Sequence, residues 1–224
     1  MNILQKIKHR HGLLTGNVSF SLNELDSQLL RYLNYDHGFF IEAGANDGIS
    51  QSNTLYFEKY KKWGGILIEP IPDLAKKCVV NRPNCIVENS ALVPFDFNDD
   101  FIEMRYSNLM SLVKGAMKSE EEELKHVNKG CAIQGVESYE VKVPANSLSN
   151  ILKKHGVETI DLFSLDVEGF ELSVLKGIDF DRHHPKWMLI ESRYEYEIES
   201  FLNSIYEPIC KLSHHDVLFK HKSV

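Results

Sequence analysis

Short and almost continuous apolar runs alternate with stretches of helical periodicity along most of the chain. Five such runs predict buried strands: HGFFIEAG, GGILIEP, NCIVENSALV, TIDLFSLDVEG and KWMLIES. Strands that are apolar on both faces and alternate with helices are typical of a parallel sheet covered on both sides. The pattern therefore predicts an α/β fold, and two further strand-like runs, YEPICKL and DVLFKH, close the chain.

Recurring leucines, capping residues and proline predict the helices between these strands. Pro72 can occupy the first turn of a helix, Ser147 can cap another, and Gly177 is expected to end the helix after the fourth strand. Helices are expected over residues 22–34, 53–60, 72–79, 148–155 and 195–204.

The regular pattern loosens over residues 94–145. This stretch holds an acidic segment rich in phenylalanine, a helix that ends in KSEEEELKH, and the run SYEVKVP. We interpret the glutamate run as a solvated helix face. Residues 95–145 are expected to form an insertion on the substrate side, where Asn108 and Ser111 could belong to a lid.

No linker or repeat divides the chain, so we predict a single domain over residues 1–224, with an arm and helix over 1–35. The chain is 43% hydrophobic and 25% charged, which suits one large domain with a core. Its net charge of -7 argues against nucleic acid as the main partner, because phosphate binding requires lysine and arginine.

No stretch approaches the ~20 apolar residues of a membrane span, and no secretory signal is readable at the start. The 4 cysteines form no C-x-x-C pair and are expected to be reduced thiols. These features predict a cytoplasmic protein.

The first strand runs into a glycine turn, EAGANDG, which lacks the features of a phosphate site. Gly44 and Gly48 enclose three other residues, so the second glycine of a G-x-G-x-x-G dinucleotide fingerprint is missing. Carboxylates at Glu42 and Asp47 would also repel a phosphate. A cation fits better, and S-adenosylmethionine carries a sulfonium and an ammonium group but no phosphate.

Acidic residues end four of the five predicted strands: Glu42, Glu69, Asp166 and Glu191. They are expected to gather at one edge, because the carboxyl ends of parallel strands meet there. Glu69 follows the glycines at the distance where an acid usually meets the two hydroxyls of a ribose, and Ile71 could form an apolar wall for adenine.

Transfer of a methyl group to an alcohol requires an aligned nucleophile and a base or metal ion that deals with its proton. Asp166, Glu168 and Glu191 are the candidate bases. Because Mg²⁺ prefers oxygen ligands, Asp166 and Glu191 could alternatively hold this metal. The choice between a base and a metal ligand stays open. His215, just before the last strand, is another candidate base, and a simple turn there is the alternative.

Taken together, the motifs resemble those of the FkbM-type S-adenosylmethionine-dependent methyltransferases. FIEAGANDGISQSNT, GILIEPIP, NRPNCIVENSALV, IDLFSLDVEGFELSVLKG and DVLF carry the similarity, which runs from about residue 26 to 219. The resemblance implies a class I methyltransferase fold, with a seven-stranded, mostly parallel sheet, an antiparallel last strand and helices on both faces. It also implies O-methylation, often of a sugar in a surface polysaccharide or its precursor, or of a secondary metabolite.

The resemblance further implies which residues hold the cofactor. The glycine turn would bind its methionine part, Glu69 its ribose and the Ser90–Ala91 region its adenine, with Asp166 beside the methyl group. The predicted cofactor-binding residues are Glu42, Gly44, Ala45, Asn46, Asp47, Gly48, Asn53, Thr54, Glu69, Pro70, Ile71, Ser90, Ala91, Asp166 and Val167.

Two other functions remain open. An NAD(P)-dependent oxidoreductase would share the sheet and the acid after the second strand, but it would need the missing glycine. A non-catalytic binding module would keep the same fold, and the intact motifs weigh against it. The predicted partner is a sugar or glycan acceptor, nucleic acid is not expected, and a homodimer stays open.

Overall fold

The computed structural model describes residues 18–224, so most of the predicted N-terminal arm lies outside the described residues. Seven strands form the main sheet, here in spatial order: β3 (Ile86–Glu88), β2 (Gly64–Ile68), β1 (Phe39–Ala43), β8 (Leu162–Leu165), β9 (Trp187–Glu191), β11 (Asp216–His221) and β10 (Tyr206–Lys211). The first five are parallel to one another, and β11 is antiparallel to both β9 and β10. The expected α/β architecture with a seven-stranded, mostly parallel sheet is therefore present.

Helices pack on both faces of this sheet because successive strand residues point to opposite sides. They are α1 (Leu25–Leu29), α2 (Leu55–Lys61), α3 (Pro72–Asn81), α4 (Glu120–Gln134), α5 (Leu148–His155), α6 (Glu171–Leu175) and α7 (Glu195–Leu202). Ile41 and Phe163 belong to a core cluster with α5, α6 and α7. Their neighbours Phe40 and Leu162 belong to a second cluster with α1, α2 and α3. No helix within residues 18–224 is long and apolar enough to cross a membrane.

The helix predicted over 22–34 is wrong in its extent. A short 3-10 turn, Leu22–Glu24, precedes α1, which ends at Leu29. Asn23 and Glu24 have φ angles of 53° and 57°, in the left-handed region that interrupts a right-handed helix. The leucine spacing still identified buried positions, because Leu29 and Leu33 are both fully buried.

Ser147 caps a helix as predicted, whereas Gly177 does not end its helix in the expected way. The Ser147 hydroxyl accepts a hydrogen bond from the Asn150 amide at 3.3 Å and caps α5, as predicted. Gly177 does not adopt a left-handed C-cap conformation. It is needed for close packing instead, since a Cβ there would lie 2.2 Å from the Val93 carbonyl oxygen.

A second, smaller sheet was not predicted. Its strands, in spatial order, are β4 (Ala91–Leu92), β7 (Tyr139–Asn146), β5 (Phe101–Tyr106) and β6 (Leu112–Val113).

The prediction of a helix that ends in KSEEEELKH is wrong, because α4 begins in that stretch with Ser119 as its N-cap. Glutamates in the first turn favour this start, since their negative charge interacts favourably with the positive N-terminal end of the helix dipole.

The glutamate run of α4 is only partly a solvated face. Glu123 is 2% exposed, and its carboxylate lies 3.0 Å from the guanidinium of the buried Arg105 on β5. Arg105 also pairs with Glu120 and Glu140. The pairs with Glu120 and Glu123 hold α4 against the second sheet. The predicted solvated face therefore holds for the exposed Glu121 and Glu122 but not for Glu123.

Candidate active site

A cavity of about 390 Å³ lies at the carboxyl ends of the parallel strands. Its floor comes from the main sheet and includes Gly44, Glu69, Asp166 and Glu191. Its roof comes from the insertion, namely from α4 and from the 3-10 turn Asn108–Met110 that follows β5. The insertion therefore covers the edge at which the sequence predicted a site.

The glycine turn after β1 is held against the end of β8. Gly44 has φ +84°, and a Cβ there would lie 1.9 Å from the Asp166 carbonyl oxygen, so only glycine fits. Two residues later, the backbone amide of Asn46 donates to Glu69 at 2.8 Å. The turn thus connects the ends of three adjacent strands at the cavity floor.

Glu69 is a rigid acidic group at the end of β2. Its two carboxyl oxygens accept hydrogen bonds from the amides of Asn46 and Ile71, both at 2.8 Å. Burial raises the pKa of Glu69 to about 8, although the two amides act in the opposite direction. Each oxygen can accept a second hydrogen bond, so the group can still bind a ligand hydroxyl.

Glu42 lies beneath the cavity and does not line it. Its carboxylate accepts hydrogen bonds from the Ser52 hydroxyl at 2.8 Å, the Asn53 amide at 2.8 Å and the Thr54 hydroxyl at 2.5 Å. The guanidinium of the buried Arg82 lies 3.8 Å away. Glu42, Asn53 and Thr54 therefore stabilise the loop that follows the glycine turn, from the side away from the cavity.

The predicted cofactor residues thus divide into two groups. Those that line the cavity are Gly44, Asn46, Glu69, Pro70, Ser90, Ala91, Asp166 and Val167. Those that do not are Glu42, Ala45, Asp47, Gly48, Asn53, Thr54 and Ile71. Asp47, for example, uses its carboxylate on the amides of Ile49 and Ser50, at 2.9 and 2.6 Å, because an aspartate readily stabilises a turn in this way.

His215 is exposed and does not line the cavity, so the structure does not bring it together with the other candidate bases. Its carbonyl oxygen accepts a hydrogen bond from the Ser192 amide, and this contact fixes the turn before β11. The next residue, Asp216, is 5% exposed and pairs with Glu191 in the sheet. The antiparallel direction of β11 therefore brings Asp216, and not His215, to the acidic edge.

Asp166 and Glu191 form an acidic pair in the cavity. Oδ1 of Asp166 is buried and accepts no hydrogen bond from residues 18–224. Burial is the main cause that raises the pKa of both groups, and the Glu191 pKa reaches about 7. A hydrogen bond from Asp166 acts against this rise in Glu191. Two adjacent carboxyl groups of this kind share one proton near neutral pH.

Glu168 connects the floor to the roof. Its φ angle of 56° is unusual for a residue with a side chain. Its carboxylate lies 3.1 Å from Nε2 of His126, without hydrogen-bond alignment, and 3.6 Å from the Arg193 guanidinium. Arg193 also donates to Nδ1 of His126 at 2.8 Å.

His126 and Arg193 line the cavity, although the sequence did not predict them as site residues. These two residues and their partner Glu168 come from separate parts of the chain: His126 from α4, Glu168 from the end of β8, and Arg193 from the end of β9. The one available signal was the helical spacing of His126, Lys129 and Ile133, which places all three on one face of α4. Asn108 and Ser111, which were predicted in a lid, do line the cavity roof.

Comparison with known proteins agrees with this geometry. Residues 42–217, well over half of the chain, match the family model described as the methyltransferase FkbM domain. The chain belongs to the FkbM methyltransferase family. The matched range contains every residue of the cavity except Leu22.

A crystal structure of the methyltransferase FkbM from Methylobacillus flagellatus KT shares the fold of this FkbM domain. The TM-score is 0.51 at 16% sequence identity, over 87% of this chain and 46% of that chain. At this identity the likeness concerns the fold alone, and the chain spans less than half the length of that protein. No curated protein sequence matches the chain.

The donor geometry of the FkbM domain does not support the Mg²⁺ prediction. Within residues 18–224, no group of three or more His, Cys, Asp or Glu side chains is arranged to hold a metal ion. Asp166 and Glu191 instead line the cavity at the ends of adjacent strands, and the charge of Glu191 contributes to the raised pKa of Asp166.

The acidic pair predicts a pH-dependent difference in stability. The folded-state pKa of Glu191 is raised to about 7. The stability that the protonated group contributes to the folded protein is therefore lost as the pH rises through that value. We expect Glu191→Gln, which stays neutral, to gain stability relative to the wild type between about pH 5 and pH 8, by up to about 3 kcal/mol. Urea denaturation of both proteins at several pH values measures this difference, and a constant difference would contradict the raised pKa.

Proposed function

We propose that this FkbM domain is an S-adenosylmethionine-dependent O-methyltransferase that methylates a sugar hydroxyl in a surface glycan or its precursor. The observation that carries the proposal is the cavity with an acidic floor at the carboxyl ends of the strands. A cationic cofactor would relieve the repulsion among these acids, whereas a phosphate would increase it. Sugars as acceptors come from the family resemblance, and a secondary metabolite is the alternative acceptor.

The residues of the cavity floor fit this cofactor. Gly44 and Asn46 would hold its methionine part, Glu69 its ribose hydroxyls, and Ser90 with Ala91 its adenine. The buried Oδ1 of Asp166, which lacks a partner in residues 18–224, would accept hydrogen bonds or face positive charge there. The donor set is thus rich in acceptors and negative charge, as a sulfonium ligand requires.

The acidic pair supplies the proton acceptor for the reaction. When bound, the cofactor provides a methyl group on a positively charged sulfur. Glu191, with a pKa near 7, can take the proton of an acceptor hydroxyl while Asp166 retains the shared proton. The roof formed by the insertion would exclude water from the same space.

Calorimetric titration tests the cofactor assignment. We expect S-adenosylmethionine and S-adenosylhomocysteine to bind in the micromolar range, and NADH not to bind. Glu69→Ala should weaken both affinities by about tenfold to hundredfold, because it removes hydrogen bonds to the ribose hydroxyls. Unchanged binding by Glu69→Ala would overturn the ribose assignment, and NADH binding would favour the oxidoreductase.

A second step tests the chemistry. Incubation of the protein and S-adenosylmethionine with a panel of glycans and nucleotide sugars is expected to produce an acceptor whose mass increases by one methyl group. The control variant Glu195→Gln should transfer the methyl group as the wild type does, because Glu195 pairs with Lys211 outside the cavity. Cofactor binding without methyl transfer to any hydroxyl compound would favour a binding module.

A further inference from the structure

Both positively and negatively charged side chains line the cavity. The carboxyl groups of Glu69, Asp166 and Glu191 lie at the strand ends. Two cationic side chains line other parts of the wall: Lys129 on α4 and Arg193 just after β9. A ligand that contacts both regions would carry positive charge at one end and negative charge at the other.

His126 links the positions of the two cations. Lys129 lies three residues after His126 on α4, so their side chains are neighbours on one helix face. His126 in turn accepts a hydrogen bond from Arg193 at 2.8 Å. Lys129 therefore lies one turn of α4 after the residue that Arg193 contacts.

Other polar side chains of the roof already have partners within the roof or the floor. Gln134 donates to the Ser107 carbonyl oxygen and accepts from the Leu109 amide, both at 3.1 Å. Asn108 accepts from the side chain of Asn46 at 3.0 Å. These groups mainly fix the shape of the roof.

Lys129 and Arg193, by contrast, keep unused donors. Lys129 is exposed, and its ammonium makes no ion pair with any acid in residues 18–224. Arg193 is 47% exposed, uses one terminal nitrogen on His126, and lies 3.6 Å from the Glu168 carboxylate. Its other nitrogens donate to no group in the described part of the chain. Unused cationic donors that line a cavity are suited to an anionic ligand.

We propose that Lys129 and Arg193 form a subsite for an anionic group, a carboxylate or a phosphate, on the sugar acceptor. This inference rests on the proposed methyltransferase function and narrows its acceptor class. Arginine can bind either anion through two parallel hydrogen bonds, and lysine adds a point charge. The subsite would hold the acceptor by its anion and leave one hydroxyl free to face the acidic pair.

Titration of small probes tests the subsite in two stages. S-adenosylhomocysteine is titrated first, and failure of this step counts against the proposed function. Inorganic pyrophosphate, glucuronate and glucose are then titrated separately into the protein, with and without S-adenosylhomocysteine. We expect pyrophosphate or glucuronate to bind more tightly than glucose, and the stronger of the two identifies phosphate or carboxylate as the group recognised.

Variants then assign the effect to the two side chains. Lys129→Gln combined with Arg193→Gln is expected to weaken anion binding by about tenfold to hundredfold, since two charged contacts are lost. Lys129→Gln alone should give a smaller loss and keeps the Arg193 contacts if the double variant folds poorly. Lys125→Gln removes an equal charge from the same helix but outside the cavity, and should bind anions as the wild type does.

Three results would overturn the inference. The first is anion binding no tighter than glucose binding in the wild type. The second is equal anion affinity in the wild type and the double variant, or an equal loss in Lys125→Gln. The third is weaker S-adenosylhomocysteine binding in the double variant with unchanged anion binding, which would assign the two cations to the carboxylate of the cofactor.

Discussion

Replacement of Glu191 by glutamine is expected to lower kcat for methyl transfer by about 10²- to 10⁴-fold, the usual contribution of a general base. The variant keeps the volume of the side chain and removes its ability to take a proton. Burial and the neighbouring acids raise the pKa of Glu191 to about 7, which suits proton transfer near neutral pH. The affinity for S-adenosylhomocysteine should change little, because this ligand has no acceptor hydroxyl to deprotonate.

The pH profile separates this role from a merely structural one. In the wild type, kcat should rise with pH through about 7 as Glu191 becomes ionised, and this rise should disappear in Glu191→Gln. Glu195→Gln should keep both the rate and the profile, since Glu195 pairs with Lys211 away from the cavity. An unchanged kcat and pH profile in Glu191→Gln would show that another group acts as the base.

Local patterns in the sequence were sufficient for the framework of the site. Apolar runs identified the parallel strands, and acids at their ends identified the edge where the cavity lies. These features depend on residues close together in the chain, such as Glu69 directly after β2. The cap at Ser147 was predictable for the same reason.

Contacts between distant segments were not predictable in this way. Glu42 and Asp166 both lie near the carboxyl ends of buried strands, yet Glu42 accepts a hydrogen bond from the Asn53 amide outside the cavity and Asp166 lines the cavity. The apolar pattern does not show that Arg82, at the end of α3, lies 3.8 Å from Glu42, because this contact joins segments far apart in the chain. Likewise, the buried pairing of Glu123 with Arg105 converts a run of glutamates from a solvated face into an anchor for the roof.

Replacement of Arg82 by methionine is expected to lower the free energy of unfolding by about 3–5 kcal/mol, the cost of leaving buried charges without their partner. Arg82 is 1% exposed, and its guanidinium pairs with Glu58. It also donates to the Gly48 carbonyl oxygen at 3.0 Å and lies 3.8 Å from Glu42. Urea denaturation measures the loss, and Arg31→Met, at an exposed arginine, should change the stability by less than about 0.5 kcal/mol.

The same variant should affect the cavity through the loop beneath it. Because Arg82 holds the Gly48 carbonyl and the hydroxyls of Ser52 and Thr54, its loss should loosen the glycine turn and weaken S-adenosylhomocysteine binding. If Glu42 depends on Arg82, Glu42→Gln should cost less in the Arg82→Met background than in the wild type, because the carboxylate it removes is then already unpaired. Purely additive losses would show that the two side chains stabilise the loop independently, and that their 3.8 Å separation carries no energetic coupling.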